Sequence, residues 1–147
     1  RSTLDRSSAA SDVYKRQGID RDNDLAVLKL VEENVEIFPI QRKRRIEEIN
    51  IGETVFAIGN PQGLGQSVSM GIISAIGRKF INKEGSFIQT DASINPGNSG
   101  GALVDTRGNL LGIINFIEST TGGNQGLNFA IPIDVVSESY FEIVKGE

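Results

Sequence analysis

The chain has 147 residues, which is enough to bury one good core or one core and a fragment of another. Its net charge of −4 argues against a nucleic-acid partner, because such partners usually require a basic face. The chain contains no histidine and no cysteine, so it lacks the commonest general base, the commonest metal ligand and any thiolate site. No cofactor and no metal are predicted, and no apolar run approaches the roughly 18 residues that cross a bilayer.

Residues 1–17 are polar and show no hydrophobic periodicity, with Leu4, Val13 and Tyr14 as their sizeable apolar side chains. A segment of this composition buries too little apolar surface to fold, so we expect it to be disordered or loosely packed. Residues 7–17 also resemble a translated adaptor tail. We therefore interpret residues 1–17 as a leader that is not native to the fold.

Near the start of residues 18–40 lies Asp20–Asp24, in which acidic residues alternate as they do at the start of an EF-hand calcium loop. Leu25 stands where that loop requires glycine, so calcium binding is not expected. Leu25–Leu30 is an almost continuous apolar run, which predicts a buried strand. Asp24 then lies where a loop enters this strand, and its carboxylate is either a solvated cap or a buried group that orients a neighbour.

Residues 41–52 are predicted to connect two structural units. The basic run Arg42–Arg45 could contact nucleic acid, but Glu47 and Glu48 follow it at once and the overall charge is negative. We therefore interpret the segment as a solvated linker.

Residues 53–133 consist of short β segments separated by turn signals, with no helical pattern between them. This arrangement predicts an all-β barrel or sandwich. Gly59–Ser67 is glycine-rich, but it lacks the features of a phosphate-binding or dinucleotide-binding loop and is predicted to be a turn. The predicted strands are Thr54–Ile58, Val68–Arg78, Phe87–Thr90, Ala102–Val104, Leu110–Phe116 and Asn128–Ile131.

Residues 134–147 show a different pattern, with apolar residues on one wide helical face. Asp134 is positioned to cap the start of a helix, and Gly146 is positioned to end it. A single C-terminal helix packed on the β unit is predicted.

Asn95–Gly101 reads Asn-Pro-Gly-Asn-Ser-Gly-Gly, an unusual loop with one serine among three glycines. Glycine lets backbone amides approach a ligand closely, so the loop can present Ser99 as a nucleophile. The amides of Gly97 and Ser99 could then bind the oxyanion that forms when a carbonyl is attacked. A tight turn between two strands would have a similar composition, and the loop alone does not decide between these interpretations.

Six sequence blocks follow one another in an order that is itself informative. They are Asp24–Leu30, Ala57–Pro61 with Gly63–Leu64, Gly71–Ala75 with Gly77–Arg78, Ile88–Ala92, Ile94–Gly101 and Asn128–Pro132. In the same order, these blocks resemble those of the HtrA/Deg family of trypsin-like serine proteases, and Asp24–Leu30 is similar to the strand that carries the family's catalytic aspartate. The resemblance extends from Gly18 to about Gly146, and the ordered blocks make it specific.

The resemblance implies an all-β, trypsin-like double β-barrel. This chain would hold the C-terminal barrel, a remnant of the N-terminal barrel (residues 18–40) and a C-terminal helix. Ser99 would be the nucleophile, and Asp24 would orient the catalytic histidine. Gly97, Asn98 and Ser99 would form the oxyanion hole. Many trypsin-like enzymes carry an aspartate at the position of Asn98, paired with a newly cleaved N-terminus, so the neutral amide favours control by loop rearrangement.

The resemblance also places Ile94 and Ile117 in the primary substrate pocket, where the equivalent of a specificity acid is Ser93. An uncharged pocket with isoleucine walls would favour small or medium aliphatic side chains. The alternative that both isoleucines belong to the barrel core stays open. Residues 118–126 are polar and glycine-rich and correspond to a regulatory activation loop, which we expect to be mobile.

The chain departs from the family pattern because it contains no histidine, and because the strands that should precede Asp24 and the PDZ domain that should follow are missing. We therefore interpret it as a truncated part of a protease. Loss of the base from a Ser-His-Asp triad costs on the order of 10⁶ in turnover, so the chain alone is expected to be inactive. The Leu25–Leu30 strand is also expected to expose an edge.

The family resemblance implies a role in protein quality control, with unfolded or misfolded proteins as substrates and homotrimeric or higher assembly as usual. The location would be extracytoplasmic, and any membrane contact would be made through a missing N-terminal segment. One alternative is a catalytically dead relative that binds peptides as a chaperone, which the missing histidine favours and the intact Gly97–Gly101 loop argues against. Another is a ligand-binding β module unrelated to proteolysis, which the ordered blocks argue against.

Overall fold

A computed structural model describes residues 14–31, 40–60, 65–80, 83–94, 97–117 and 126–145. Across these ranges, eight strands precede one α-helix. The strands are β1 (Tyr14–Asp20), β2 (Leu25–Leu30), β3 (Thr54–Gly59), β4 (Ser67–Phe80), β5 (Lys83–Thr90), β6 (Ala102–Asp105), β7 (Leu110–Ile117) and β8 (Asn128–Pro132), and the helix is α1 (Ile133–Lys145).

Strands β3 to β8 form a closed antiparallel barrel in the order β3-β4-β5-β8-β7-β6, which β6 closes by pairing with β3. Val55 and Ala57 of β3 point into the barrel and are fully buried, whereas Phe56 and Ile58, which alternate with them, lie on the outside. The barrel interior is the main hydrophobic core, to which Ile73, Ile88, Leu103, Leu111 and Ile114 contribute. The predicted all-β class with a barrel and one C-terminal helix is confirmed.

The outer face of the barrel is partly covered by α1. Ile133 of the helix is buried with Val104 and Leu110, and Phe56 packs against the same cluster. The helix also packs on β1 and β2, so it lies between the barrel and the N-terminal strands. Among the described residues, no helix has both the length and the apolar character that crossing a bilayer would demand.

Asp134 does not cap its own helix as predicted, because α1 already begins at Ile133. Its carboxylate instead accepts a hydrogen bond from the backbone amide of Ile46, at 2.8 Å. Asp134 still lies in the first helical turn, where a negative charge is favourable to the helix dipole. The residue therefore joins the helix to the segment that precedes β3.

The N-terminal strands differ from the prediction in two ways. Residues 14–17 were expected to be disordered, but they belong to β1, which pairs with β2 in an antiparallel hairpin. The rest of the predicted leader, residues 1–13, lies outside the described residues. Strand β2 was expected to be buried, but Leu28 and Leu30 are 47% and 45% exposed. The reason is that β2 belongs to a two-stranded sheet rather than to a closed barrel.

The segment before β3 is more ordered than a solvated linker. It contains a short 3-10 helix, Ile46–Glu48, and the Arg44 guanidinium is largely buried there. Arg44 donates to both carboxylate oxygens of Glu53, at 2.7 and 3.1 Å, and to Asp105 at 3.0 Å. The hydrogen bonds with Arg44 and Asn50 hold the pKa of Glu53 below its usual range, against the opposing effect of burial. Within the basic run Arg42–Arg45, Arg44 therefore has a structural role, as the shared ion-pair partner of Glu53 and Asp105.

Candidate active site

The described part of the predicted nucleophile loop, Gly97–Gly101, is held to the barrel by backbone hydrogen bonds. The Gly100 amide donates to the carbonyl of Ile114 at 2.7 Å, and the Ile114 amide donates to Gly101 at 2.8 Å. Within the loop, the Gly101 amide donates to the carbonyl of Asn98 at 2.9 Å. Residues 95 and 96 lie outside the described residues. The serine is therefore carried by a turn that is fixed to β7.

Two glycines let this loop lie directly against the end of β3. A Cβ atom built on Gly101 would be 2.1 Å from the carbonyl oxygen of Ile58, and one built on Gly59 would be 2.5 Å from Oδ1 of Asn98. Real Cβ atoms do not approach other atoms so closely, so side chains at either position would force the backbones apart. The glycines recognised in two separate sequence blocks thus meet in one contact.

The side chain of Asn98 is buried beneath the loop, with the residue 5% exposed. Its Oδ1 atom has no hydrogen-bond donor among the described residues. A buried amide oxygen without a donor is tolerated at moderate cost, whereas a buried, unpaired carboxylate at the same place would be much more expensive. This environment is consistent with a neutral residue at position 98.

Ser99 is exposed, and its hydroxyl donates to the backbone carbonyl of Asn115 at 2.8 Å. A carbonyl oxygen is not a base that can take the hydroxyl proton. In the described residues, neither the Gly97 amide nor the Ser99 amide donates a hydrogen bond. Among the described residues, no acceptor occupies either amide, and no base accepts the proton of the serine hydroxyl.

Asp24 closes the turn between β1 and β2, where it is exposed. Its φ of 56° lies in the left-handed region, which aspartate tolerates better than most residues. The same turn is organised by Asp20, whose carboxylate accepts from the amides of Asp22 and Asn23, both at 3.1 Å. Among the residues described, no group of acidic side chains is arranged to hold a metal ion.

Asp24 and Ser99 lie in different parts of the fold, and in the described residues no hydrogen bond joins them. The prediction for Asp24 left two alternatives open, and the structure places it as an exposed residue. Sequence analysis missed two residues near it, Asp20 and Ser139, which hydrogen-bond to each other. The Asp-x-x-Asn pattern of Asp20 and Asn23 is typical of a side-chain-capped turn and could have indicated the first of them.

The two predicted pocket residues, Ile94 and Ile117, have different outcomes in the structure. Ile94 is 2% exposed and packs in the main barrel core, which matches the core alternative rather than a pocket wall. The backbone of Ile117 ends β7 and pairs with Asn128, but its side chain lies outside the described residues. The predicted activation loop lies outside them as well, except for Gly126. Its mobility and the role of Ile117 stay predictions.

Comparisons with known proteins agree with the fold and with the order of the sequence blocks. Residues 3–113 match the model of the trypsin-like peptidase domain. The chain is 47% identical over 133 residues to serine endoprotease DegS of Haemophilus influenzae, covering 87% of this chain and 38% of that protein. It is 40% identical over 141 residues to periplasmic serine endoprotease DegP of Escherichia coli K12, covering 90% of this chain and 29% of DegP.

A solved structure of the HtrA-type protease AlgW with a decapeptide superposes with a TM-score of 0.81 and 48% sequence identity. The match covers 90% of this chain and 40% of AlgW. The chain therefore spans less than half the length of each of these relatives. Since the family model covers most of the chain, and the relatives share both sequence and fold, the chain belongs to the trypsin-like peptidases and, among them, to the HtrA-type serine endoproteases.

Proposed function

We propose that this chain is the nucleophile-bearing part of an HtrA-type serine endopeptidase that hydrolyses peptide bonds. The observation that carries the proposal is the Gly97–Gly101 loop, in which Ser99 is exposed and the amides of Gly97 and Ser99 donate no hydrogen bond within the described residues. In this role Ser99 Oγ attacks the substrate carbonyl. The oxyanion that results is stabilised by the amides of Gly97 and Ser99.

Activation of Ser99 requires a base that this chain does not supply. The hydroxyl has to leave the Asn115 carbonyl and donate to a histidine, which takes the proton as the bond to the substrate forms. Asp24 would accept a hydrogen bond from that histidine and keep it in the correct tautomer. Because none of the 147 residues is histidine, the chain on its own is expected to lose on the order of 10⁶ in turnover.

The substrates that we propose are unfolded or misfolded proteins, as part of protein quality control outside the cytoplasm. The name of DegP as a periplasmic serine endoprotease supports the location, and the AlgW structure with a decapeptide supports recognition of peptides. Assembly into trimers or larger oligomers is proposed by family resemblance.

Labelling with a fluorophosphonate probe tests the chemistry. The 147-residue chain is expected to show no rapid stoichiometric labelling, because the probe reacts with an activated serine. A protein extended by the upstream residues of its own reading frame is expected to label at Ser99 if those residues carry a histidine. Ser99→Ala should abolish that labelling, and Ser137→Ala on α1 serves as the matched control. Rapid labelling of Ser99 in the chain alone would contradict the requirement for an external base.

The missing histidine favours a second candidate function, a catalytically inactive relative that binds peptides as a chaperone. The two functions differ in what precedes the chain in its reading frame. An upstream barrel that carries a histidine supports the protease, whereas an upstream barrel without one, together with peptide binding but no hydrolysis, supports the inactive binder.

A further inference from the structure

The turn that carries Asp24 is organised by one carboxylate. Asp20 accepts the amides of Asp22 and Asn23 through Oδ1, and the Asn23 side chain donates to Oδ2 at 2.8 Å. These bonds are local to the hairpin and fix the path of the chain into Asp24. They do not by themselves fix where the hairpin lies on the rest of the molecule.

A fourth hydrogen bond to Asp20 comes from the helix. The hydroxyl of Ser139 donates to Oδ2 of Asp20 at 2.5 Å, across 119 positions of sequence. Ser139 is 5% exposed and lies on α1 between Val136 and Ile143, on the face that packs inward. A serine in an apolar stripe needs a partner when it is buried, and Asp20 is that partner.

Close packing accompanies this bond. A Cβ atom built on Gly18 would be 2.5 Å from Cγ2 of Ile143, so β1 lies directly against the helix at this position. At the start of β2, Leu25 packs against a cluster formed by Phe87, Phe129 and Ile131 of the barrel. The hydrogen bond is thus a polar contact within a junction that is otherwise built from apolar side chains.

From this geometry we infer that Ser139 and Asp20 are positioning residues, which dock the hairpin on α1 and thereby set the place of Asp24 relative to the barrel that carries Ser99. The inference rests on the proposed role of Asp24. Helix α1 follows β8 directly and packs on β7, whose residues Ile114 and Asn115 contact the nucleophile loop. One helix therefore connects the two halves of the proposed site.

Amide hydrogen exchange on the 147-residue chain tests the link. Ser139→Ala removes a hydrogen bond to a charged acceptor, and exchange of the β1, β2 and turn amides is expected to rise about tenfold. The NMR resonances of Asp22, Asn23 and Asp24 should shift as well, because their turn loses its anchor. Amides of β3, β6 and β7 should keep their protection, which shows that the barrel has remained folded.

Two further variants keep the test specific. Ser137→Ala, two residues away on the same helix, is expected to leave the hairpin unchanged. In an Asp20→Ala background, Ser139→Ala should add little, because both changes remove the same bond. Unchanged exchange in Ser139→Ala, an equal rise in every strand, or a full additional effect in the Asp20→Ala background would each overturn the inference. None of these measurements needs catalysis, so inactivity of a histidine-bearing parent would count against the proposed chemistry and not against the docking.

Discussion

Ser99 lies in a loop that backbone hydrogen bonds attach to a closed barrel. Asp24, by contrast, lies in a turn at one end of a two-stranded sheet, and side-chain hydrogen bonds hold that turn. The loop has backbone hydrogen bonds to β7 and glycines packed against β3. The turn depends on the carboxylate of Asp20, and its sheet leaves Leu28 and Leu30 about half exposed. Two residues proposed for one triad are thus supported in very different ways.

The difference indicates which half of the site is easier to open. Barrel strands pair on both sides, so opening the nucleophile loop means disturbing the main core. The hairpin is a separate two-stranded sheet, so we expect that it can leave α1 without breaking the strand pairing of the barrel. The geometry of the triad should therefore fail first at Asp24, and the variants below test each side of this comparison.

The largest effect is expected when a side chain is placed between the loop and β3. Gly101→Ala should lower the free energy of unfolding by about 3 kcal/mol, because its Cβ would overlap the carbonyl oxygen of Ile58. Urea unfolding followed by far-ultraviolet circular dichroism measures the change.

Its neighbour provides a matched control. Gly100 has a φ of +87°, and no described atom lies within 4 Å of the point that a Cβ would occupy there. Gly100→Ala should therefore cost only the backbone strain, about 1 kcal/mol. Equal losses for the two variants would show that the close approach to β3 is not what holds the loop.

A smaller loss of stability is expected from replacing Arg44, in the segment before β3. Arg44→Met leaves the carboxylates of Glu53 and Asp105 without their shared cation, which should destabilise the protein by about 2 kcal/mol at neutral pH. Because the hydrogen bond with Arg44 holds the pKa of Glu53 below its usual range, this stabilisation is present at neutral pH and fades as acid protonates Glu53.

Arg42→Met is the comparison for Arg44. The Arg42 ion pair with Glu48 is exposed to solvent, so its removal should leave the free energy of unfolding nearly unchanged. Urea unfolding at neutral and acidic pH distinguishes the two sites. If both arginines prove equally dispensable, the segment before β3 is the solvated linker that its composition suggests.

The contrast between the barrel and the hairpin also explains which features of the fold the sequence could predict. Each barrel strand was predicted within a few residues, because short apolar segments such as Thr54–Ile58 are bounded by clusters of turn-forming residues. Leu25–Leu30 was correctly predicted as a strand but wrongly as a buried one. Its apolar pattern fits burial on both faces, and the two-stranded sheet covers only part of it.

Long-range polar contacts were not predictable. Asp134 was expected to cap its own helix, and only the fold brings the Ile46 amide to its carboxylate. Ser139 and Asp20 are far apart in sequence, and neither residue type at its own position specifies the other. The glycines of the loop and of β3 were recognised by resemblance, but their mutual contact appears only when the barrel closes.

The smallest expected effect is the loss of stabilisation of the docked β1–β2 hairpin at acidic pH. Hydrogen bonds from the Asn23 and Ser139 side chains hold the pKa of Asp20 below its usual range, so its ionised form stabilises the docked hairpin. The contribution is complete above the ordinary aspartate pKa of about 3.9 and is lost as the pH falls through the lower folded value. The amide resonances of Asp22 and Asn23 should therefore titrate together below about pH 4, whereas those of β3 and β7 should not follow the same midpoint.

Asp20→Asn should remove this titration step, and Asp22→Asn, which leaves the Asp20 acceptor intact, should retain it. A shared midpoint above the ordinary value would mean that burial rather than hydrogen bonding governs Asp20. The hairpin would then be held by the apolar contacts of Leu25 with the barrel and of β1 with Ile143.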